Sequence, residues 1–244
     1  KRIWNNKQRK PTFSFKKSKT KPWLKKMWCI QKITPEYRKR MYDILDLYQQ
    51  PYDPIMPVIG FDEKPKQLVE DSRPPMPMQS GKPEKYDYEY IRNGSANIFM
   101  AVEPKHGKRI TKVTRQRTNI DLAEFMGELI SFYPCAKKLK IVIDNLSTHS
   151  KKAFHDTFEK KEAKRILSKL EFHYTPKHAS WLNVAEIEIG VMDNECTGRR
   201  MKNISFLKKE VGVWTKRRNN ERCTIDWRFT RADADKKLAK HYVT

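Results

Sequence analysis

Two short apolar runs, Pro57–Phe61 and Leu139–Ile143, are each followed at once by an aspartate, and they constrain this chain more than any other feature. The second, Leu139-Lys140-Ile141-Val142-Ile143, is β-branched and apolar, the pattern of a strand buried on both faces. The first reads the same way up to Asp62. Ala96–Val102 and Arg109–Thr114 read as two further strands joined through a turn at Gly107, and Glu171–Tyr174 as a short fifth. Helical spacing runs through 35–50, through DLAEFMGELISF with Asn119 and Asp121 as caps, and through 151–170 as one long charged helix. It returns from Trp181 to about Thr197 and from Ser205 to Arg218. Alternation of strands and helices in this order predicts an α/β fold, a mixed sheet flanked by helices. The prolines at 74, 75 and 77 and Gly81 exclude regular structure from Asp71 to Lys85. The expected organisation is a basic arm over 1–34, a helix and linker over 35–56, and a core domain over 57–244 with a basic helical tail.

Charge narrows the partners. Among 244 residues there are 52 Lys+Arg and 29 Asp+Glu, a net charge of +23. Such an excess repels itself unless a polyanion meets it, which points to nucleic acid. No carboxylate occurs from Lys1 to Pro35, while Lys and Arg recur throughout, as suits a segment lying along a phosphate backbone. The four cysteines stand far apart without a CxxC pair, which excludes a zinc ribbon and a disulfide-stapled scaffold and favours reduced thiols in the cytoplasm. No stretch approaches the roughly 18 apolar residues of a membrane span, and no secretion signal is present, so no membrane partner is expected. The chain opens on Lys rather than Met, which implies sequence upstream of it.

The candidate chemistry rests on carboxylates. Asp62 and Asp144 follow strands, where open α/β sheets place ligands. Glu186 lies one turn into the helix that starts near Trp181, with Glu171, Glu188 and Glu195 as competing acids. Residues two apart on a helix point in different directions, which argues against Glu188 if Glu186 faces the site. Three oxygen donors suit Mg²⁺ or Mn²⁺ better than zinc, and two such ions about 4 Å apart would serve a phosphodiester reaction. By spacing alone, an aspartate closing a strand can equally be a turn cap. Lys64 and Lys66 could place positive charge near a scissile phosphate. Asn145 and His149 could meet DNA or orient a ligand, and Lys177, His178 and Asn183 form a polar loop suited to phosphate contacts. Trp181 suits packing better than base stacking.

The segments FDEKPKQL, YIRNGSANIFMAVEP, IVIDNLSTH, EFHYTPKHASWLNVAEIE and RRNNERCTIDWRFTRADADKKL resemble the mariner-type DDE transposases, in their bacterial insertion-sequence branch. The resemblance runs in order from about Lys21 to the C-terminus. It implies a ribonuclease-H-like fold, with Asp62, Asp144 and Glu186 as metal ligands. It further implies Mg²⁺-dependent DNA cleavage and strand transfer on element ends and target, a dimeric synaptic complex, insertion at TA, and a place at the bacterial nucleoid. The chain departs from the family in carrying no helix-turn-helix modules ahead of the domain. It also has Gly190-Val191-Met192-Asp193-Asn194 where the family's helix continues with a serine and an arginine. Two alternatives therefore stay open: an inactive DNA-binding remnant, and a nuclease of ribonuclease H type that performs no strand transfer.

Overall fold

The computed structural model describes residues 32–85, 87–144 and 152–243. Almost all of the basic arm expected over 1–34 lies outside them.

Helix α1 (Pro35–Gln49) starts where it can be capped: Thr34 accepts a hydrogen bond from the Tyr37 N–H at 3.2 Å, and Pro35 occupies the first turn, where no N–H is needed. It buries Met41, Ile44, Leu45, Leu47 and Tyr48. Strands β1 (Val58–Asp71) and β2 (Tyr90–Glu103) form a long antiparallel pair, and β3 (Lys108–Thr114) follows β2 through a turn at Gly107, whose φ of 73° suits glycine. Strand β4 (Leu139–Ile143) runs parallel to β1, and β5 (Leu170–Tyr174) parallel to β4, in the order β3-β2-β1-β4-β5. The mixed sheet flanked by helices is the fold class expected from the sequence.

Alternation along the strands feeds two cores. Ile59, Phe61, Phe99, Ile141 and Ile143 meet α2 (Asn119–Ser131), α3 (Lys152–Thr157) and α4 (Lys160–Lys169) on one face. There Phe61, Phe99 and Phe125 pack with ring centroids 5.4–5.8 Å apart, each fully buried ring contributing about 1.5–3 kcal/mol. Ile98, Met100 and Val142 face the other core, built with α1, α5 (Val184–Met192) and α6 (Ile204–Asn220). Helix α7 (Arg231–Leu238) adds Ala234 to that second core. Among the described residues no helix is long and apolar enough to cross a membrane.

Four expectations need correction. Asp62 does not end its strand, since β1 continues nine residues to Asp71. That outer half is largely polar because only its Leu68 reaches a core, and its far end pairs with residues 90–95 of β2, which are all exposed. Helix α2 is capped by Thr118 rather than Asn119; Asp121 closes a capping box on the Thr118 N–H at 2.8 Å. The charged helix over 151–170 is two helices, interrupted at Phe158–Glu159, where the Phe158 ring packs over Gly127. The helix expected from Trp181 to Thr197 is a 3-10 turn (Ser180–Leu182), then α5, then a π turn (Asp193–Thr197).

Candidate active site

Register brings the two aspartates level. Gly60 of β1 pairs in parallel with Val142 of β4, so Asp62, two residues on, stands beside Asp144, with neighbouring strands about 4.8 Å apart. Helix α5 is then seated directly over β1. Asn183 caps it, accepting the Ala185 N–H at 3.2 Å, while its amide donates to the carbonyl of Phe61, the residue before Asp62, at 2.7 Å. A glycine makes the seating possible. A Cβ on Gly60 would lie 3.1 Å from Asn183 Oδ1 and 3.2 Å from the Ala185 nitrogen. Glu186 sits in the first turn of α5 and is exposed, as the acid of a site open to a macromolecule must be.

Asp62 feels the charge of both other acids. Burial above all, joined by the charges of Asp144, Glu63 and Glu186, pushes the Asp62 carboxyl up to about 7, against the Glu63 N–H, which donates to Asp62 Oδ1 at 2.8 Å and lowers it. Among the described residues no three Asp, Glu, His or Cys side chains stand as a formed metal-binding group.

The other expected contacts divide. Lys177 and His178 are exposed on the loop before α5, with His178 at φ 61°. Asn183 is fully buried and spent on capping α5, so the expectation that it meets DNA is wrong. Lys64 and Lys66 are turned inward as well. Lys64 pairs with Asp193, and Lys66 donates to the Thr197 carbonyl, both in the π turn after α5. Asp193, which also accepts from the Thr197 hydroxyl at 2.6 Å, thereby joins β1 to the end of α5. Asn145 and His149 lie outside the described residues. Trp181 packs edge-on against Phe229 at 5.6 Å and remains 40% exposed, so it packs and still offers a face.

Sequence reasoning missed Glu188 and its partners. Helical phase turns it away from Glu186, yet it is buried, not solvated, and binds Arg109 and Arg218. No local pattern could reveal this, since Arg109 comes from an edge strand. The only signal was an acid among apolar neighbours in VAEIEIGVM, which requires a buried counter-charge.

A mixed five-stranded sheet with Asp62 and Asp144 level on adjacent strands, and Glu186 on the helix seated over β1, is the frame of enzymes that act on nucleic acid backbones. The family model of the DDE superfamily endonucleases matches residues 57–208, and the chain belongs to that family. No individually curated protein sequence matches it. Among solved structures it is similar to the Mos1 mariner paired-end complex with Mn, at 14% identity and a TM-score of 0.56, over 91% of this chain and 68% of that one. The Mos1 strand transfer complex matches at 13% identity and 0.53, over 91% and 66%. This chain thus spans about two thirds of the length of those proteins. Such likeness establishes the ribonuclease-H-like fold.

Proposed function

We propose that this chain is the catalytic domain of a transposase, cutting a DNA strand and joining the freed 3′-hydroxyl to a target strand. The reading rests on Asp62 and Asp144, level on the adjacent strands β1 and β4, and on Glu186, carried by a helix capped onto β1 and close enough for its charge to act on Asp62. Their chemistry fits a hard divalent cation: all are oxygen donors, and the raised proton affinity of Asp62 marks a place where positive charge is wanted. Mg²⁺ or Mn²⁺ bound there, as one ion or two, would supply the charge that activates an attacking oxygen and balances a leaving one. Asp62 and Asp144 hold their side of the site rigidly, on a sheet packed on both faces. Glu186 completes it from α5, within reach of solvent and DNA. Lys177 and His178, on the loop leading into α5, contact the DNA backbone and orient the strand. Lys64 and Lys66 act from within, fixing the far end of α5 to β1.

The Mos1 structures include a paired-end complex with the left transposon end and a strand transfer complex, and element ends and a target strand are the substrates proposed for this chain, with two copies bringing two element ends together. The test is nicking of supercoiled plasmid in Mg²⁺, followed by incubation with an oligonucleotide bearing a free 3′-hydroxyl. Nicking with joining supports a transposase. Nicking without joining leaves a ribonuclease-H-type nuclease. DNA binding without nicking by a chain that carries all three acids overturns the catalytic reading.

A further inference from the structure

A second site lies at the other end of the sheet. A cavity of about 520 Å³ opens between the end of α1, the start of β1, the β2–β3 turn and the segment Thr224–Trp227 that follows α6. Val58, at the N-terminal end of β1, lines it, whereas Asp144 follows the C-terminal end of the parallel β4. Along β2, Glu103 lies three residues from Met100, the partner of Asp62, or about 10 Å. The two sites are therefore distinct.

The chemistry of this cavity runs against the charge of the protein. In a chain of net charge +23, it gathers three carboxyl groups, Asp53, Glu103 and Asp226, against a single lysine, Lys105. Lys105 donates to the Gln50 carbonyl, and Asp226 is held at its rim by Arg228 at 2.7 Å. Glu103 is 2% exposed, and only one of its oxygens is satisfied. Tyr133 donates to Oε2 at 3.0 Å and the Tyr52 hydroxyl also approaches this carboxyl, while Oε1 has no donor in hydrogen-bonding geometry among the described residues. Lys108 is opposite Glu103 in the strand register, but its ammonium donates to the Phe132 carbonyl at 2.9 Å and lies 4.2 Å over the Tyr133 ring. Burying a carboxyl oxygen without a donor is costly, and here that oxygen belongs to a residue lining a cavity far larger than one water needs.

The walls complete the picture. Tyr52 stacks on His106 at 5.5 Å and 8°, and Tyr48 lies against Trp227 at 4.9 Å. Aromatic faces attract a desolvated cation, and an aliphatic stem packs against the same rings.

We propose that this cavity binds an organic cation, a guanidinium or primary ammonium group on an aliphatic stem, with Glu103 Oε1 as its anchor. The group donates to Oε1, its stem lies along Tyr52 and Trp227, and Asp53 and Asp226 draw it inward against the field of the whole protein. A free alkylamine and an arginine or lysine side chain of a polypeptide share this chemistry.

The test titrates the intact chain, free of DNA, by calorimetry with three probes: agmatine, N-acetyl-arginine amide and N-acetyl-citrulline amide, the last a neutral isostere. Saturable one-to-one binding of the first two, with the citrulline probe weaker by about tenfold or more, is expected. Tighter binding of the arginine amide than of agmatine identifies a polypeptide side chain as the source, and the reverse order identifies a free amine. Glu103→Gln should weaken binding by about tenfold. If that variant unfolds, Tyr52→Ala, on an exposed side chain, should weaken binding in a folded protein. No saturable binding by either cation, equal binding of the citrulline probe, or unchanged affinity in these variants once folding is verified overturns the site.

Discussion

Arg109 and Glu188, 79 residues apart in the chain, meet inside the protein as a two-point ion pair, with Nε–Oε1 and Nη2–Oε2 both 3.0 Å. Their side chains are 0% and 1% exposed. Arg218 grips the same carboxylate from α6, at 2.9 and 3.2 Å. One glutamate thus ties the edge strand β3 to α5 and α6, and α5 is the helix that carries Glu186.

Glu188→Gln should destabilise the fold by about 3–5 kcal/mol, because it leaves a buried guanidinium facing a neutral amide. Burial pushes Glu188 up, but hydrogen bonds from Arg109 and Arg218 outweigh it and hold the carboxyl below the ordinary glutamate value of 4.5. The folded state therefore binds this proton less tightly than the unfolded state does. The stability it contributes is complete above 4.5 and is lost as pH falls through the folded value. Urea unfolding at a series of pH values should show the parent losing stability on acidification more steeply than the variant. Where the variant stays folded, nicking should persist.

Asp144→Asn and Glu186→Gln should each abolish Mg²⁺-dependent nicking. Asp62→Asn should do the same without lowering the melting temperature in EDTA, since it removes a charge that burial and three neighbouring acids disfavour. Thermal unfolding in EDTA paired with plasmid nicking separates the two effects. A large loss of metal-free stability in Asp62→Asn would assign that residue to the fold instead.

Asn183→Ala should cost about 2 kcal/mol, combining a lost helix cap with a buried Phe61 carbonyl left without its donor. DNA affinity, read by mobility shift on folded protein, should be unchanged. A selective loss of affinity at full stability would restore Asn183 to the DNA contacts.

Gly60→Ala should lower nicking by about tenfold or more while the protein still folds, since α5 must lift by a few tenths of an ångström and Glu186 lifts with it. Kinetics at saturating Mg²⁺ would check it, and an unchanged rate would show that α5 can yield without moving the carboxylate.

Removing residues 1–26, which carry eleven Lys or Arg and no carboxylate, should flatten the dependence of DNA affinity on salt by several units of slope, at about 0.9 per phosphate neutralised. An unchanged slope would place DNA binding on the core domain.

Some of this was legible in the residues and some was not. Leu139–Ile143 announced itself because every position except Lys140 is apolar and three of the five are β-branched, and burial on both faces leaves a continuous run. Asp62 and Asp144 could be paired because each follows such a run. The outer half of β1 could not be read, since in EKPKQLVED only Leu68 reaches a core and no alternation is imposed on the rest. Lys64, Lys66 and Asn183 were assigned to DNA by residue type. The partners they have in the structure, Asp193, Thr197 and the Phe61 carbonyl, lie more than 120 positions away, and local pattern carries no trace of them.

The two aspartates stand on a sheet wedged between two cores, and Glu186 stands on a helix of nine residues fastened at one end by Asn183 and at the other by the lysines of β1. Glu188 pins the middle of that helix to Arg109 and Arg218, so whatever adjustment the site makes to a cation or to DNA falls to the first turn of α5, set against a fixed sheet. Slow amide exchange at 141–143 beside faster, ligand-sensitive exchange at 184–188 would be the signature of that division of labour.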